Sequence, residues 1–94
     1  MNDKFYTYKG YPLVRKDNIL YYGYMSDPYV IMLEILSTKK VGESEVADEV
    51  RVIQMSTDLT LNPLQACVKN AKCDGGLNVA LELAGVWLEK ALDN

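Results

Sequence analysis

Residues 29–36 form a strongly apolar stretch near the middle of the chain, with seven apolar side chains in eight positions, three of them β-branched. The turn-forming residues Ser26, Asp27 and Pro28 precede it directly. Alternation along a strand gives one wholly apolar face and a second face that only Glu34 interrupts. The pattern predicts a central strand that needs cover on both sides.

Two shorter apolar runs precede this strand. Residues 5–14 predict a strand that is bent or broken at Gly10, and Pro12 places that strand at an edge of the sheet because proline has no amide hydrogen to donate. Residues 16–18 tolerate positive φ, so we expect a tight hairpin into the apolar run at residues 19–24. An antiparallel meander is therefore expected from the start of the chain.

The central strand is expected to continue into a second hairpin. Gly42 and Glu43 fit the two loop positions of a type II′ turn, which needs positive φ at the first position. Directly opposed residues then have numbers that sum to 85. This register sets Glu34 opposite Arg51, and it gives three more pairs that match in character: Lys40 with Glu45, Leu33 with Val52, and Ile35 with Val50. The partner favours a structural role for Glu34 over acid–base chemistry.

The apolar spacing becomes helical in the last third of the chain. Asn62, Pro63 and Gln65 have the arrangement of a capping box with proline at the first helical position, which predicts a helix at about residues 63–72. Residues 77–92 carry a wide apolar stripe at helical spacing and predict a second helix.

These elements predict one α+β domain over residues 1–94. The expected architecture is an antiparallel β-meander of about four to five strands, at about residues 4–57, followed by two C-terminal helices packed on the sheet. A chain of 94 residues with 49% hydrophobic residues has a generous apolar supply for a modest core. Such an excess favours burial against a partner.

Composition narrows the classes of function. The net charge of −3 argues against nucleic acid or an anionic membrane as a partner. Cys67 and Cys73 are too few for a disulfide framework, and a chain without histidine lacks an ordinary zinc ligand set, so we predict free thiols, no metal and no cofactor. Residues 1–5 lack the apolar core of a signal peptide, and a cytoplasmic location is expected.

The tyrosines are the feature most open to a functional interpretation. All seven lie within the first 29 residues, and the pairs Tyr6 and Tyr8, and Tyr22 and Tyr24, have the two-residue spacing that places side chains on one face of a strand. These four residues form a candidate ligand face that could stack bases of single-stranded nucleic acid or pack against a peptide. The plainer explanation is that tyrosine is a good strand former whose ring packs while its hydroxyl reaches water.

Features of catalysis are sparse. The chain has no histidine, no glycine-rich phosphate loop and no serine or cysteine in a recognised nucleophile setting. Glu45, Asp48 and Glu49 form an acidic cluster beside the second hairpin, where a solvated edge is the simplest explanation. An enzyme of unknown reaction is therefore a remote alternative.

The apolar excess points instead to self-association. Cover for the second face of the central strand is incomplete, because a first helix of about ten residues spans only ~15 Å. We predict a homodimer whose interface includes Met32, Ile53 and Met55 from the sheet, or Leu83 and Val86 from the last helix. The expected function is that of a small, non-catalytic, cytoplasmic interaction module, with single-stranded nucleic-acid binding through the tyrosines as the alternative.

Several phrases resemble a family of small uncharacterised proteins of anaerobic Gram-positive bacteria of the clostridial type. The phrases are residues 8–15 (YKGYPLVR), 21–23 (YYG), 35–37 (ILS), 54–58 (QMSTD) and 86–92 (VWLEKAL). They are spread over nearly the whole chain, so the resemblance implies one intact domain of bacterial origin. It implies no catalytic residue.

Overall fold

The structure, a computed structural model, describes residues 4–93, with the side chains of all of these except Lys4, Phe5 and Pro63. The described part of the chain contains eight strands, in chain order β1 (Lys4–Tyr8), β2 (Tyr11–Lys16), β3 (Ile19–Tyr22), β4 (Tyr29–Ile35), β5 (Thr38–Val41), β6 (Ser44–Ala47), β7 (Val50–Ser56) and β8 (Cys67–Cys73). A one-turn helix, α1 (Pro63–Ala66), precedes β8, and a long helix, α2 (Gly76–Leu92), follows it.

Six strands form one antiparallel sheet in the spatial order β1-β2-β3-β4-β7-β8, while β5 and β6 form a separate two-stranded sheet. The α+β class and the antiparallel meander are confirmed, but the sheet is wider than the predicted four to five strands. The prediction of two packed helices is wrong, because α2 is the only helix longer than one turn among residues 4–93.

The first two hairpins follow from local sequence. The strand predicted at residues 5–14 is divided at Gly10. Lys9 and Gly10 both have positive φ and form the turn that separates β1 from β2. Asp17, with φ of 56°, makes the tight turn between β2 and β3. The expected edge position of Pro12 is wrong, because β2 lies between β1 and β3. The Pro12 carbonyl accepts a hydrogen bond from the amide of Gly23 at 3.0 Å. The Pro12 nitrogen faces the same side of β2, beyond the last residue of β3. Proline is tolerated there because the β2–β3 ladder needs no amide hydrogen from this position.

The hairpin around Gly42 has the predicted register along its whole length. Glu34 lies opposite Arg51 in the β4–β7 ladder, and Lys40 lies opposite Glu45 in the β5–β6 ladder. Gly42 has φ of 63°, as the first loop position of a type II′ turn requires. The hairpin is interrupted between the two ladders, at residues 36–37 and 48–49, so its tip forms a sheet of its own.

The predicted helix at residues 63–72 is the main error. Its capping box exists, since the side chains of Asn62 and Gln65 each accept a hydrogen bond from the other's amide, at 2.9 and 3.2 Å. The helix ends after one turn at Ala66, and Cys67–Cys73 becomes strand β8. Without β8, one edge of β7 would have unpaired backbone groups, and pairing with this edge outweighs a helical segment that has few apolar side chains to bury.

Helix α2 packs across one face of the sheet, mainly on β4 and β7. Its small residues Ala80 and Ala84 and the side chain of Leu88 are fully buried there. The core beneath it is formed by alternate residues of four strands: Leu13, Leu20, Tyr22, Ile31, Leu33, Ile35, Val50 and Val52. The ammonium group of Lys69 on β8 lies 4.6 Å from the ring centroid of Trp87, which ties the sheet edge to the helix.

Candidate interaction site on the uncovered sheet face

Because side chains alternate along each strand, the sheet presents a covered face beneath α2 and an open face on the opposite side. Strand pairing arranges the open face in three rows that cross the strands. The middle row contains Val14, Tyr21, Met32, Ile53 and Asn70. The end row contains Pro12, Val30, Met55 and Cys67, and the charged row contains Lys16, Ile19, Glu34, Arg51 and Lys72.

The middle and end rows make a broad apolar surface. Met32, Ile53 and Met55 are all only half-buried, although they project from β4 and β7, which both lie inside the sheet. Helix α2 lies on the other face, and the β5–β6 hairpin contacts α2, so neither of them covers these rows. The three residues predicted for a dimer interface therefore lie together on the open face, at the positions where a second layer would pack.

An apolar concavity of about 370 Å³ continues this surface toward β2 and β3. Val30, 8% exposed, is its most buried residue, and the Met25 side chain beside it is 66% exposed. The remaining lining comes from Pro12, Val14, Tyr21 and Gly23. The open face therefore contains a depression that an apolar side chain of a partner could enter.

The charged row bounds the apolar surface on one side. Glu34 and Arg51 are directly opposed in the ladder, but neither takes part in the two ion pairs among the described side chains. Lys72 binds Glu49 at 3.1 Å, and this hydrogen bond is the main reason that the pKa of Glu49 is lowered and the pKa of Lys72 is raised. Glu34, which is half-buried, and Arg51, which is exposed, are thus free to bind elsewhere.

The tyrosines proposed as a ligand face lie on the covered side of the sheet. Tyr22 is only 1% exposed, and its hydroxyl donates a hydrogen bond to the carbonyl oxygen of Tyr8 at 2.9 Å. The rings of Tyr8 and Tyr11 each lie 5.8 Å from the Tyr22 ring in edge-on contacts. Burial raises the pKa of Tyr22 to about 12. Tyr6 and Tyr24 remain about half exposed, so two of the four rings are accessible to a ligand.

The helix residues predicted for self-association are separated by the fold. Leu83 is partly buried and packs against the core under α2. Val86 is 46% exposed on the outer side of the helix, near the similarly exposed Val79. Only small valine side chains are therefore available on the outside of α2, in contrast to the continuous rows of the open face.

A metal site needs several ligating side chains close together. Residues 4–93 contain no group of three or more histidine, cysteine, aspartate or glutamate side chains that could hold a metal ion. Cys67 is level with Met55 on the open face, whereas Cys73 is level with Val50 on the covered face, because the β7–β8 register shifts at Gln54 and Met55. The two free thiols therefore lie at opposite ends and on opposite faces of β8. No helix in the described range is long and apolar enough to cross a membrane.

Sequence reasoning did not single out Val14, Tyr21 and Met25, and it placed Cys67 and Asn70 in a helix. Val14 and Tyr21 are opposed across the tight turn at Asp17, but the β3–β4 register is also needed to place Tyr21 beside Met32. Met25 lies in the loop after β3, and its proximity to Val30 has no local signal. Comparisons with protein-family models, with curated proteins and with solved structures find no match.

Proposed function

We propose that this chain is a small, non-catalytic interaction module that self-associates through the open face of its sheet. The observation that carries the proposal is that α2 lies on the other face, so that most apolar side chains of the middle and end rows are only half-buried within one chain. Contiguous apolar patches of this kind mark sites of protein interaction, whereas scattered exposed apolar residues do not.

The total exposed area supports the same proposal. The chain exposes 6308 Å². A compact monomer of 10.6 kDa is expected to expose about 5,500 Å², so this chain exposes roughly 800 Å² more. The exposed β5–β6 hairpin contributes to this excess, as do exposed side chains of the open face such as Tyr21.

Binding of single-stranded nucleic acid through the tyrosines remains the alternative, with catalysis of an unknown reaction as a more remote one. The exposed rings of Tyr6 and Tyr24 support the first alternative. Tyr22 is buried, and its hydroxyl donates a hydrogen bond to the carbonyl oxygen of Tyr8. Both observations favour a structural role for the tyrosines. The open face is therefore the better supported site.

Light scattering tests the proposal directly. At tens of micromolar the wild-type chain should have about twice its monomer mass of 10.6 kDa. Ile53→Asp should reduce the mass to that of a monomer, because a carboxylate would be buried without a partner in the interface. Val86→Asp is the matched control, since it adds the same charge at an exposed position on the outside of α2, and it should leave the mass unchanged.

Two results would contradict the proposal. The first is a monomer mass for the wild-type chain at hundreds of micromolar. The second is a dimer that Val86→Asp dissociates and Ile53→Asp does not, because the interface would then lie on α2. Circular dichroism of each variant checks that a change of mass does not result from unfolding.

A further inference from the structure

The three rows of the open face restrict how two copies could stack. Two identical sheets packed face to face are related by a two-fold axis that lies between them. An axis across the strands would place Glu34 and Arg51 of one copy against Val30 and Met55 of the other, which buries charge against apolar side chains at a high cost. An axis along the strands places each row on the same row of the second copy, so that Glu34 and Arg51 no longer meet the apolar end row.

The charges also select where this axis lies. An axis over β4 would set Glu34 against its own copy, and an axis over β7 would do the same to Arg51. An axis between β3 and β4 would set Arg51 against Lys16. Midway between β4 and β7, each Glu34 meets Arg51 of the second copy, and each Met32 meets Ile53 of the second copy.

One other position of the two-fold axis gives part of this pairing of opposite charges. An axis over β3 would set Glu34 against Lys16 of the second copy, and would carry Arg51 beyond β2 to the outer strand β1. Among residues 4–93, only the axis between β4 and β7 gives both Glu34 and Arg51 a partner of opposite charge. These are the two opposed charges of the row that form no ion pair with each other in the described chain.

We infer, on the basis of the proposed self-association, that the open face is occupied by a second copy of this chain, stacked sheet on sheet about a two-fold axis along the strands between β4 and β7. Glu34 of each copy then pairs with Arg51 of the other, at one margin of an apolar interface. The arrangement is self-complementary, as a two-fold interface must be.

The size of this interface sets the expected affinity. Four strands of each copy overlap, β3, β4, β7 and β8, while β2 and β1 extend beyond the contact. Strands spaced ~4.8 Å apart make the overlap about 19 Å wide, and three rows of alternate residues make it about 20 Å long, so the pair buries on the order of 1,000 Å². That area lies at the lower end for specific interfaces, and we expect a dissociation constant in the micromolar range.

Complementary charge variants test the arrangement. Glu34→Arg alone and Arg51→Glu alone each set like charges against each other across the interface, and each should raise the dissociation constant at least about tenfold. An equimolar mixture of the two variants restores both opposite-charge contacts, so it should form a heterodimer with an affinity within about threefold of wild type. Lys16→Glu is the matched control: it lies in the same row on the overhanging strand β2 and should have little effect.

Sedimentation equilibrium on each variant and on the mixture gives the dissociation constants. If either single variant unfolds, Glu34→Gln and Arg51→Gln replace it, and each should weaken the dimer without like-charge repulsion. The inferred arrangement is overturned if the mixture fails to recover, or if Lys16→Glu dissociates the dimer and Arg51→Glu does not, which indicates the axis over β3. In both cases Ile53→Asp still tests whether the open face is used, so the proposed function is judged separately.

Discussion

The two faces of the sheet are formed by the same strands, but their side chains are buried to different extents. Ile31 and Met32 are neighbours in β4, yet Ile31 is fully buried under α2 while Met32 is only partly buried on the open face. Strand β4 is apolar on both sides, and the described chain supplies one layer of helix. Residues 67–73 widen the sheet as β8, and so they enlarge the open face and do not form a second helix over it. A strand that is apolar on both sides indicates that both faces of its sheet need a packing layer. The amount of helix in the chain then determines how many of these layers the chain itself supplies.

The largest expected difference between the faces is in stability. Ile31→Ala removes a fully buried side chain and should cost about 2–5 kcal/mol of unfolding free energy, because it loses burial and leaves a cavity. Ile53→Ala is the matched change on the open face, where the side chain is half-buried. In the monomer it should cost about 1 kcal/mol or less.

Urea unfolding at submicromolar concentration, where the proposed dimer is dissociated, gives both values. At tens of micromolar the cost of Ile53→Ala should increase, because the dimer stabilises only the folded chain. Equal costs for the two variants at low concentration would show that the open face is covered within the monomer.

The covered face was largely predictable, since it depends on patterns within single hairpins. Gly42 defined the turn, the turn defined the register, and the register placed Leu33 beside Val52 in the core. The fate of residues 67–73 was not predictable in this way. Asn62 and Gln65 make the capping contacts of a helix start, but whether a helix continues depends on tertiary partners, and the competing partner was the edge of β7.

The candidate site was predictable in part for the same reason. Met32, Ile53 and Met55 were placed together by the alternation of β4 and β7, which the register already fixed. The burial of Tyr22 was not predictable. The two-residue spacing of the tyrosines shows that they share a face of the sheet, but it does not show which face α2 covers. The wholly apolar face of β4 is the face that α2 covers, but relating the tyrosines to that face requires the β3–β4 register, which no tight turn defines.

The second prediction uses the pKa of Tyr22, the buried hydroxyl on the covered face. An unfolded tyrosine loses its proton near pH 10, whereas Tyr22 in the folded chain keeps its proton to about pH 12. Between these values the unfolded state binds fewer protons, so stability should fall as pH rises, by roughly 3 kcal/mol in total, and this contribution is fully present below pH 10.

Urea unfolding of wild type and Tyr22→Phe from pH 8 to pH 12 measures this contribution. At pH 8 the variant should be less stable by about 1 kcal/mol, because it lacks the hydrogen bond to Tyr8. The difference should shrink or reverse at high pH. Parallel pH profiles for the two proteins would contradict the assignment, since the fall would then come from other groups.

The third prediction concerns the layer over the covered face. A methyl group at Gly85 of α2 would lie 3.5 Å from Cδ of Lys9 and 3.6 Å from Cε2 of Tyr8, which is ordinary contact. Gly85→Ala should therefore stabilise the chain by about 0.5–1 kcal/mol through helix propensity. Gly76→Ala is the control with the opposite sign, because Gly76 has φ of 85° and its methyl group would lie 3.2 Å from the carbonyl oxygen of Ala47. Thermal unfolding of both variants gives the signs, and a loss of stability in Gly85→Ala would mean that α2 is packed more closely on β1 and β2 than the distances indicate.

The smallest expected effect is on nucleic-acid binding, and it follows from the position of the tyrosines on the covered face. A stacking platform needs several open rings in a positively charged groove. Here Tyr22 is buried, Tyr8 and Tyr11 pack against its ring, and the chain has a net charge of −3. Fluorescence titration with mixed-sequence single strands at low salt should show no binding at high micromolar concentration, and Tyr24→Ala should leave the titration unchanged. Binding that weakens with salt and is lost in Tyr24→Ala would instead make the exposed tyrosines a functional site, and the covered face would then carry a function that the open face does not.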